Sequence, residues 1–514
     1  MRTLATGMLI VLMMCVAAPA RGVDIVVDGK AQATIVVEGG APKVNGKAAR
    51  GRGAAGDAMA AEVLASWIKK MTGAELPIAA QAPADGAAIY VGQAAVKAGL
   101  KLDEIQSSTH EGLRVVCDGK RILLAGQNGT ATVKAACRLL EELGCRYLMD
   151  SPMGEVYPHM ATLSVKEMDL REKPGLALRQ MWGSNWSGDS LWKIWNGVGG
   201  AQYPQGHAWG AYVSKGLFET HPEYFALRNG ERKKGDWYCT SNAELRKVFA
   251  EGVMLALEKN GGVGASISPP DGTGYCECDK CRAQDDPQSI EPSSGHVSIT
   301  DRYADFFNDV ARRVKEKYPE AKLNFYCYAD YTQAPTRGLK LEPNLVAWIA
   351  PLRYCRLHAI GNPICPSRVQ LGEMINDWSK ATGNIAYRTY NYNLAECTVP
   401  FSMVSIWEHD IPYLKEHGAI GINLETLPSW QIYGPHLYLS LRLAYDPAAN
   451  ADALLDDYMT KFYGSAAGPL MKRYWMDIDK AFAELHCHAG SFFAVHRVYT
   501  PEFVELLKDY YLYL

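Results

Sequence analysis

Hydrophobic and polar positions change period several times along the chain. In "DAMAAEVLASWIKKMTG" the apolar residues Met59, Val63, Leu64, Trp67, Ile68 and Met71 recur at helical spacing. That pattern predicts a helix capped by Asp57 and closed by Gly73. "AIYVGQ" reads as a short strand, and "LRVVCDGKRILLAG" as two strands joined by a hairpin at Asp118-Gly119. "GTATVKAACRLLEELG" reads as a second helix ended by Gly144. Strands mixed with helices predict a small α/β sandwich domain over residues 23–168.

From 169 to 446 short apolar runs alternate with helical ones. The runs at 176–182, 263–269, 322–329, 344–351, 384–392 and 419–425 predict strands. "AELRKVFAEGVMLALEK" and "DRYADFFNDVARRVKEKYP" predict two of the helices between them. This alternation predicts a TIM-like (β/α)8 barrel in which the second and eighth strands do not stand out, with an insertion across 200–240. A doubly wound open sheet is the alternative, but no Gly-rich nucleotide fingerprint follows the first strand. Asp446-Pro447 marks a further boundary, after which residues 447–514 read as helical.

The first 22 residues, "MRTLATGMLIVLMMCVAAPARG", run from a basic start through a short apolar stretch to Ala18-Pro19-Ala20, a small-x-small cleavage pattern. They predict a signal peptide and a periplasmic or extracellular protein. An uncleaved anchor would need a longer apolar run. Lipidation at Cys15 is disfavoured by Met14, where a small residue is expected. A net charge of -3 and 21% charged residues give no electrostatic footprint for nucleic acid or an anionic membrane.

The chemistry concentrates where barrel enzymes keep it, at the C-terminal ends of strands. Asp271, Asp330, Glu396 and Glu425 all follow or end a predicted strand. Two facing carboxyls, or one acid with a substrate acetamido group, are what glycoside hydrolysis needs. A cap or turn role is the plain alternative for each. Trp182, Trp186, Trp209, Tyr328, Tyr390, Tyr392, Trp430 and Tyr433 cluster at the same ends, where flat rings suit sugar faces and also suit a core. Arg179, Arg353, His358 and Arg388 can bind a hydroxylated or acidic substrate, or pair with the carboxylates. "SPPDGTGYCECDKC" holds Cys276, Cys278 and Cys281 at knuckle-like spacing. Cys239 or His296 would complete a structural zinc, and disulfides involving Cys239 or joining Cys278 to Cys281 are the rival. A redox dithiol lacks the βαβ context it would need.

Several segments resemble those of a known family. "CTSN", "SPPDGTGYCECDKC", "IAPLRYCRLHAI", "AYRTYNYNLAE", "GINLETLPSW" and "LYLSLRLAYDPAANADALLDDYMTKFYG" resemble the bacterial domain-of-unknown-function family 4838 (DUF4838), part of which is classed as glycoside hydrolase family 163. "AEVLASWIKKMTGAELPI", "IYVG" and "GTATVKAACRLLEELGCRYL" resemble the α/β domain that precedes the barrel in β-hexosaminidases and α-glucuronidases. The resemblance implies an enzyme hydrolysing O-glycosidic bonds of a glycan. Characterised members of family 163 are endo-β-N-acetylglucosaminidases acting on N-glycans.

The expectation is therefore an exported glycosidase with Glu425 as general acid/base, Asp271 as the partner carboxylate and Glu396 as the next candidate. Trp182, Trp186, Arg179, Tyr390, Asn391, Trp430, Arg353 and His358 are the candidate substrate contacts. No cofactor is needed for the hydrolysis itself. The expected partner is an oligosaccharide or glycoprotein glycan. A non-catalytic carbohydrate-binding protein on the same scaffold is the alternative. A metal-dependent hydrolase fits less well, because the loop is rich in thiols rather than in histidine and carboxylate.

Overall fold

The computed structural model describes residues 22–40, 54–183, 190–392, 394, 397–427, 430–490 and 495–512, without the side chains of 54, 55, 190, 430 and 431. Residues 1–21 of the predicted leader, Trp186 and Glu396 lie outside the described residues. Among the described residues no helix is long and apolar enough to cross a membrane. The chain divides into two compact units. The first runs to Ile105 and adds Leu113–Leu143 and Tyr157–Glu172; the second comprises Gln106–Gly112, Gly144–Val156 and Lys173–Leu514.

The first unit carries a six-stranded mixed sheet in the order Met168–Glu172, Leu113–Cys117, Ile122–Gly126, Ala87–Val91, Ala33–Val37, Ile78–Ala79. Leu113–Cys117 and Ile122–Gly126 form the predicted hairpin, with Gly119 at φ 79 in the turn. Helices Ala54–Thr72 and Gly129–Glu142 form where the apolar period is helical. Their first turns touch: a Cβ on Gly56 would lie 2.2 Å from the Gly129 Cα, so only glycine fits. Asp57 is not the cap expected of it. The helix is already under way at Ala54, and the buried Asp57 carboxylate instead accepts from the Gln93 amide at 2.9 Å. Asn128 does cap the second helix, accepting from the Ala131 amide at 2.8 Å.

The second unit is built on a curled seven-stranded sheet. Six parallel strands, Leu178–Gly183, Gly264–Ser266, Lys322–Cys327, Leu345–Ile349, Ile385–Tyr390 and Ala419–Thr426, form at the six predicted runs. They are called the first to sixth strands below. The first pairs with the sixth, and the order continues through the fifth, fourth and third to the second. Six parallel strands are thus described where eight were expected. Between the first and second, residues 199–208 run irregularly. Gly199 and Gly200 pair antiparallel with the first strand, and His207 bridges to Ser268 in parallel beyond the second. A regular strand does not form there because the segment holds three glycines and a proline.

Side chains alternate across this sheet. Leu178, Val346, Trp348, Ala350 and Ala386 cluster with Tyr326 as an apolar interior. Polar neighbours bond to one another: Trp348 Nε1 donates to Asn324 Oδ1 at 2.9 Å, and Asn423 Nδ2 to Gln205 Oε1 at 2.6 Å. After Asp446 the described residues are mostly helical, as the sequence pattern predicts. Helix Ala451–Ala483 is broken at Gly464 (φ 85, ψ 166), and Pro501–Leu512 follows.

Candidate active site

Parallel register sets three of the candidate side chains at one level. Trp182 of the first strand and Tyr390 of the fifth both pair with Glu425 of the sixth. Glu425 sits at the C-terminal end of its strand and is only 6% exposed. Both of its oxygens have donors. The Arg388 guanidinium donates to Oε2, and the Tyr392 hydroxyl to Oε1 at 2.8 Å. The Glu425 carbonyl accepts from the Asn391 amide at 2.8 Å, which fixes the turn that brings Tyr392 back over the strand end.

Arg388 is in turn held by rings. Its guanidinium lies 5.1 Å from the Tyr326 ring centre, 5.2 Å from Trp182 and 5.9 Å from Tyr390. Arg356 stacks at 5.1 Å on Tyr390 and donates to Thr389 Oγ1 at 3.0 Å. Burial pushes the Glu425 pKa above its ordinary value, and this outweighs the opposing pull of Arg388, the Tyr392 hydrogen bond and Arg356. Burial also lowers the pKa of Arg356, to about 10. Trp182, by contrast, is 48% exposed, a flat apolar ring beside a buried acid.

A second group of acids follows the second and third strands. Asp271 is exposed, and its Oδ1 accepts from the Gly272 amide at 2.9 Å. The half-buried Tyr328 connects the two groups: its pKa is raised by burial first, then by its neighbours Tyr390 and Asp271. Asp330 is buried and accepts from Arg353 Nη1 at 3.2 Å, with His296 Nδ1 also at 3.2 Å. Between Tyr328 and Asp330 the backbone of Ala329 adopts φ 51, a left-handed conformation that costs a non-glycine residue about 1–2 kcal/mol. His296 therefore faces an acid rather than the cysteines.

Other predicted contacts are placed elsewhere. Arg179 is 1% exposed and bound to Glu111 at 2.7 Å and to the Gly197 carbonyl at 2.7 Å, so its charge serves the scaffold. It stands three residues from Trp182 on one strand, and alternation puts the two on opposite faces. His358 is buried, with Nε2 at 3.0 Å from the Leu485 carbonyl and Nδ1 at 3.3 Å from Cys355 Sγ. Both ring nitrogens are thus engaged inside the protein rather than presented to a ligand. Asn391 is fully buried; its side-chain amide has no hydrogen-bond partner among the described residues. Trp430 opens the short helix Trp430–Tyr433, but its side chain is outside the described residues. Trp209 is 1% exposed and stacked on Tyr238, a core residue.

Arg356 and Tyr326 were not singled out from sequence. Tyr326 had a signal: it is two residues before Tyr328 and so shares its face. Arg356 had none, because it reaches Tyr390 from an irregular segment after the fourth strand.

Among the described residues two thiol clusters are present. Cys239, Cys276, Cys278 and Cys281 form one; Cys355, His358 and Cys365 form the other, all three buried.

The family described as "Domain of unknown function (DUF4838)" matches residues 149–476. No curated protein matches the chain. Among solved structures, a family GH115 4-O-methyl-α-glucuronidase with specificity for decorated arabinogalactans superimposes with a TM-score of 0.53 at 11% identity, over 90% of this chain and 62% of that one. A family 89 glycoside hydrolase from Clostridium perfringens, in complex with GlcNAc-α-1,4-galactose, gives 0.47 at 11% identity over 78% of this chain and 56% of that one. A β-N-acetylhexosaminidase from Bacteroides fragilis gives 0.41 at 10% identity over 90% and 94%. The chain thus spans 62% of the length of the glucuronidase, and at 11% identity the likeness is one of fold: a glycosidase-like scaffold.

Proposed function

The chain belongs to the DUF4838 family, and on that premise we propose that it is an exported glycoside hydrolase acting on a glycan that contains N-acetylglucosamine. Glu425 carries the proposal. It is a buried carboxyl at a strand end, its pKa is raised by burial, and an exposed indole and a tyrosine ring stand at its level. A general acid for hydrolysis needs to hold a proton near neutral pH and to face a surface that takes a sugar ring.

Glu425 gives its proton to the glycosidic oxygen as the bond to the anomeric carbon breaks. Asp271, exposed beside Tyr328, is the partner carboxylate. It attacks the anomeric carbon, or orients the substrate's acetamido group to do so. Water then resolves the intermediate, and Glu425 takes back a proton. Trp182 and Tyr390 line the sugar subsite, and Arg388 and Tyr392 fix the Glu425 carboxyl. The leader at residues 1–22 would deliver the chain out of the cytoplasm.

Hydrolysis of N-glycoproteins and a panel of aryl glycosides by wild type, Glu425→Gln and Asp271→Asn tests this. Loss of more than about a hundredfold in each variant, with the fold intact by circular dichroism, is expected. Activity that survives both substitutions would refute the assignment. A wild type that binds glycans and never turns one over would replace the enzyme by a carbohydrate-binding protein.

A further inference from the structure

Four sulfurs in the second unit converge on one point. Cys239 Sγ lies 3.6 Å from Cys278 Sγ and 3.8 Å from Cys281 Sγ. The sulfurs of Cys239, Cys276, Cys278 and Cys281 all lie within 4.8 Å of one another. Four thiolates about 2.3 Å from one zinc ion, at tetrahedral angles, stand about 3.8 Å apart. A disulfide would instead draw one pair to about 2.0 Å and leave the other two thiols no reason to face the same centre.

The surroundings suit thiolates. The Leu227 amide donates to Cys276 Sγ at 3.3 Å, and Arg232 Nη1 approaches the same sulfur at 3.7 Å. Ser241 Oγ lies 3.2 Å from Cys281 Sγ. A divalent ion with four thiolates keeps a net negative charge, so amide donors and a guanidinium beside it lower its cost. Cys239, Cys276 and Cys281 are at most 4% exposed. Ala226, Leu227 and Trp237 pack around the sulfurs.

We infer that Cys239, Cys276, Cys278 and Cys281 form a structural site for a thiophilic divalent metal ion, zinc being the ion whose size and tetrahedral preference match the cage. Four protein donors fill the tetrahedron and leave no position for a reacting water. Binding exchanges the thiol protons for the ion and releases them to solvent. The site ties two loops of the second unit. Cys239 lies just before helix Ala243–Lys259, whose cap Asn242 donates its amide to the Cys239 carbonyl at 3.0 Å. The other three cysteines lie on the segment after the second strand that also carries Asp271, Cys281 within its short helix Asp279–Arg282. The metal site stands whether or not Asp271 acts in hydrolysis.

Metal content of the full chain, purified without chelator, is the test. Elemental analysis should find about one zinc per chain, released when a mercurial modifies the thiols. Cys276→Ser and Cys278→Ser should each lower it more than about fivefold. Cys365→Ser, in the other thiol cluster, should leave it unchanged. Because a cysteine variant can fail to fold, cobalt-exchanged wild type supplies a second readout: the thiolate-to-cobalt charge-transfer band and the intense visible bands of a tetrahedral thiolate site. Three results would each overturn the inference: a reduced chain that takes up no zinc, disulfides among these four cysteines in the native mass map, or zinc removed by Cys365→Ser and kept by Cys276→Ser.

Discussion

Tyr392→Phe removes one oxygen atom and leaves the ring in place. Tyr392 is 7% exposed, and its ring centre is 6.3 Å from Tyr390 and 6.4 Å from Tyr433, contacts that phenylalanine keeps. The lost atom donates to Glu425 Oε1 at 2.8 Å, and it favours the charged carboxylate. A hydrogen bond to a charged group is worth about 1.5–3 kcal/mol, and one pKa unit corresponds to about 1.36 kcal/mol. Without the donor, the already raised Glu425 pKa should therefore rise further. If Glu425 acts as the acid, the basic limb of kcat/KM against pH reports its deprotonation and should move up by the same amount. The assay is a pH–rate profile on a glycoside that the wild type hydrolyses. A basic limb that stays in place would refute the link between Tyr392 and the catalytic proton. An acidic limb that moves instead would show that Glu425 must be ionised to act, and would refute its assignment as the acid.

Three further predictions concern stability. Asp410 and Arg368 form a salt bridge in which both side chains are at most 4% exposed, and Asp410 also accepts from the Ile360 amide at 2.7 Å. Asp410→Ala leaves the Arg368 charge buried without its counterion, and should cost about 3–5 kcal/mol by urea titration. Gly92 has φ 61, and a Cβ there would lie 1.9 Å from Asp57 Cγ; Gly92→Ala combines left-handed strain with overpacking and should cost about 2–5 kcal/mol in the same assay. Burial raises the Asp57 pKa from 3.8, against the pull of its hydrogen bonds. A raised acid contributes stability that is fully present below the unfolded value and is lost as pH rises through the folded one. Asp57→Asn does not titrate there, so its Tm relative to wild type should climb from acid towards neutral pH; a constant difference would exclude the titration of Asp57 as the cause.

Much of the fold was legible because its signals are local. Six short apolar runs became six strands, and Gly119 sits in the predicted hairpin turn, since backbone sterics and side-chain period act over a few residues. The start of the first helix was misread at Asp57. A carboxylate that looks like a cap in sequence can instead be buried on an amide 36 positions away.

The candidate site divides along the same line. The strand-end position of Glu425 and the thiol spacing of Cys276, Cys278 and Cys281 are properties of the sequence alone. So, by parity along one strand, is the fact that Arg179 and Trp182 cannot share a face. Which arginine meets which acid is not. Arg179 binds Glu111 and Arg388 binds Glu425, across separations of 68 and 37 residues, and both arginines lie within predicted strands. Cys239 joins its three partners from 39 and 42 positions before Cys278 and Cys281. Period and propensity choose the element and the face. The order in which strands pair and loops pack then decides what stands opposite, because that order is set by burial summed over the whole unit and not by any one segment.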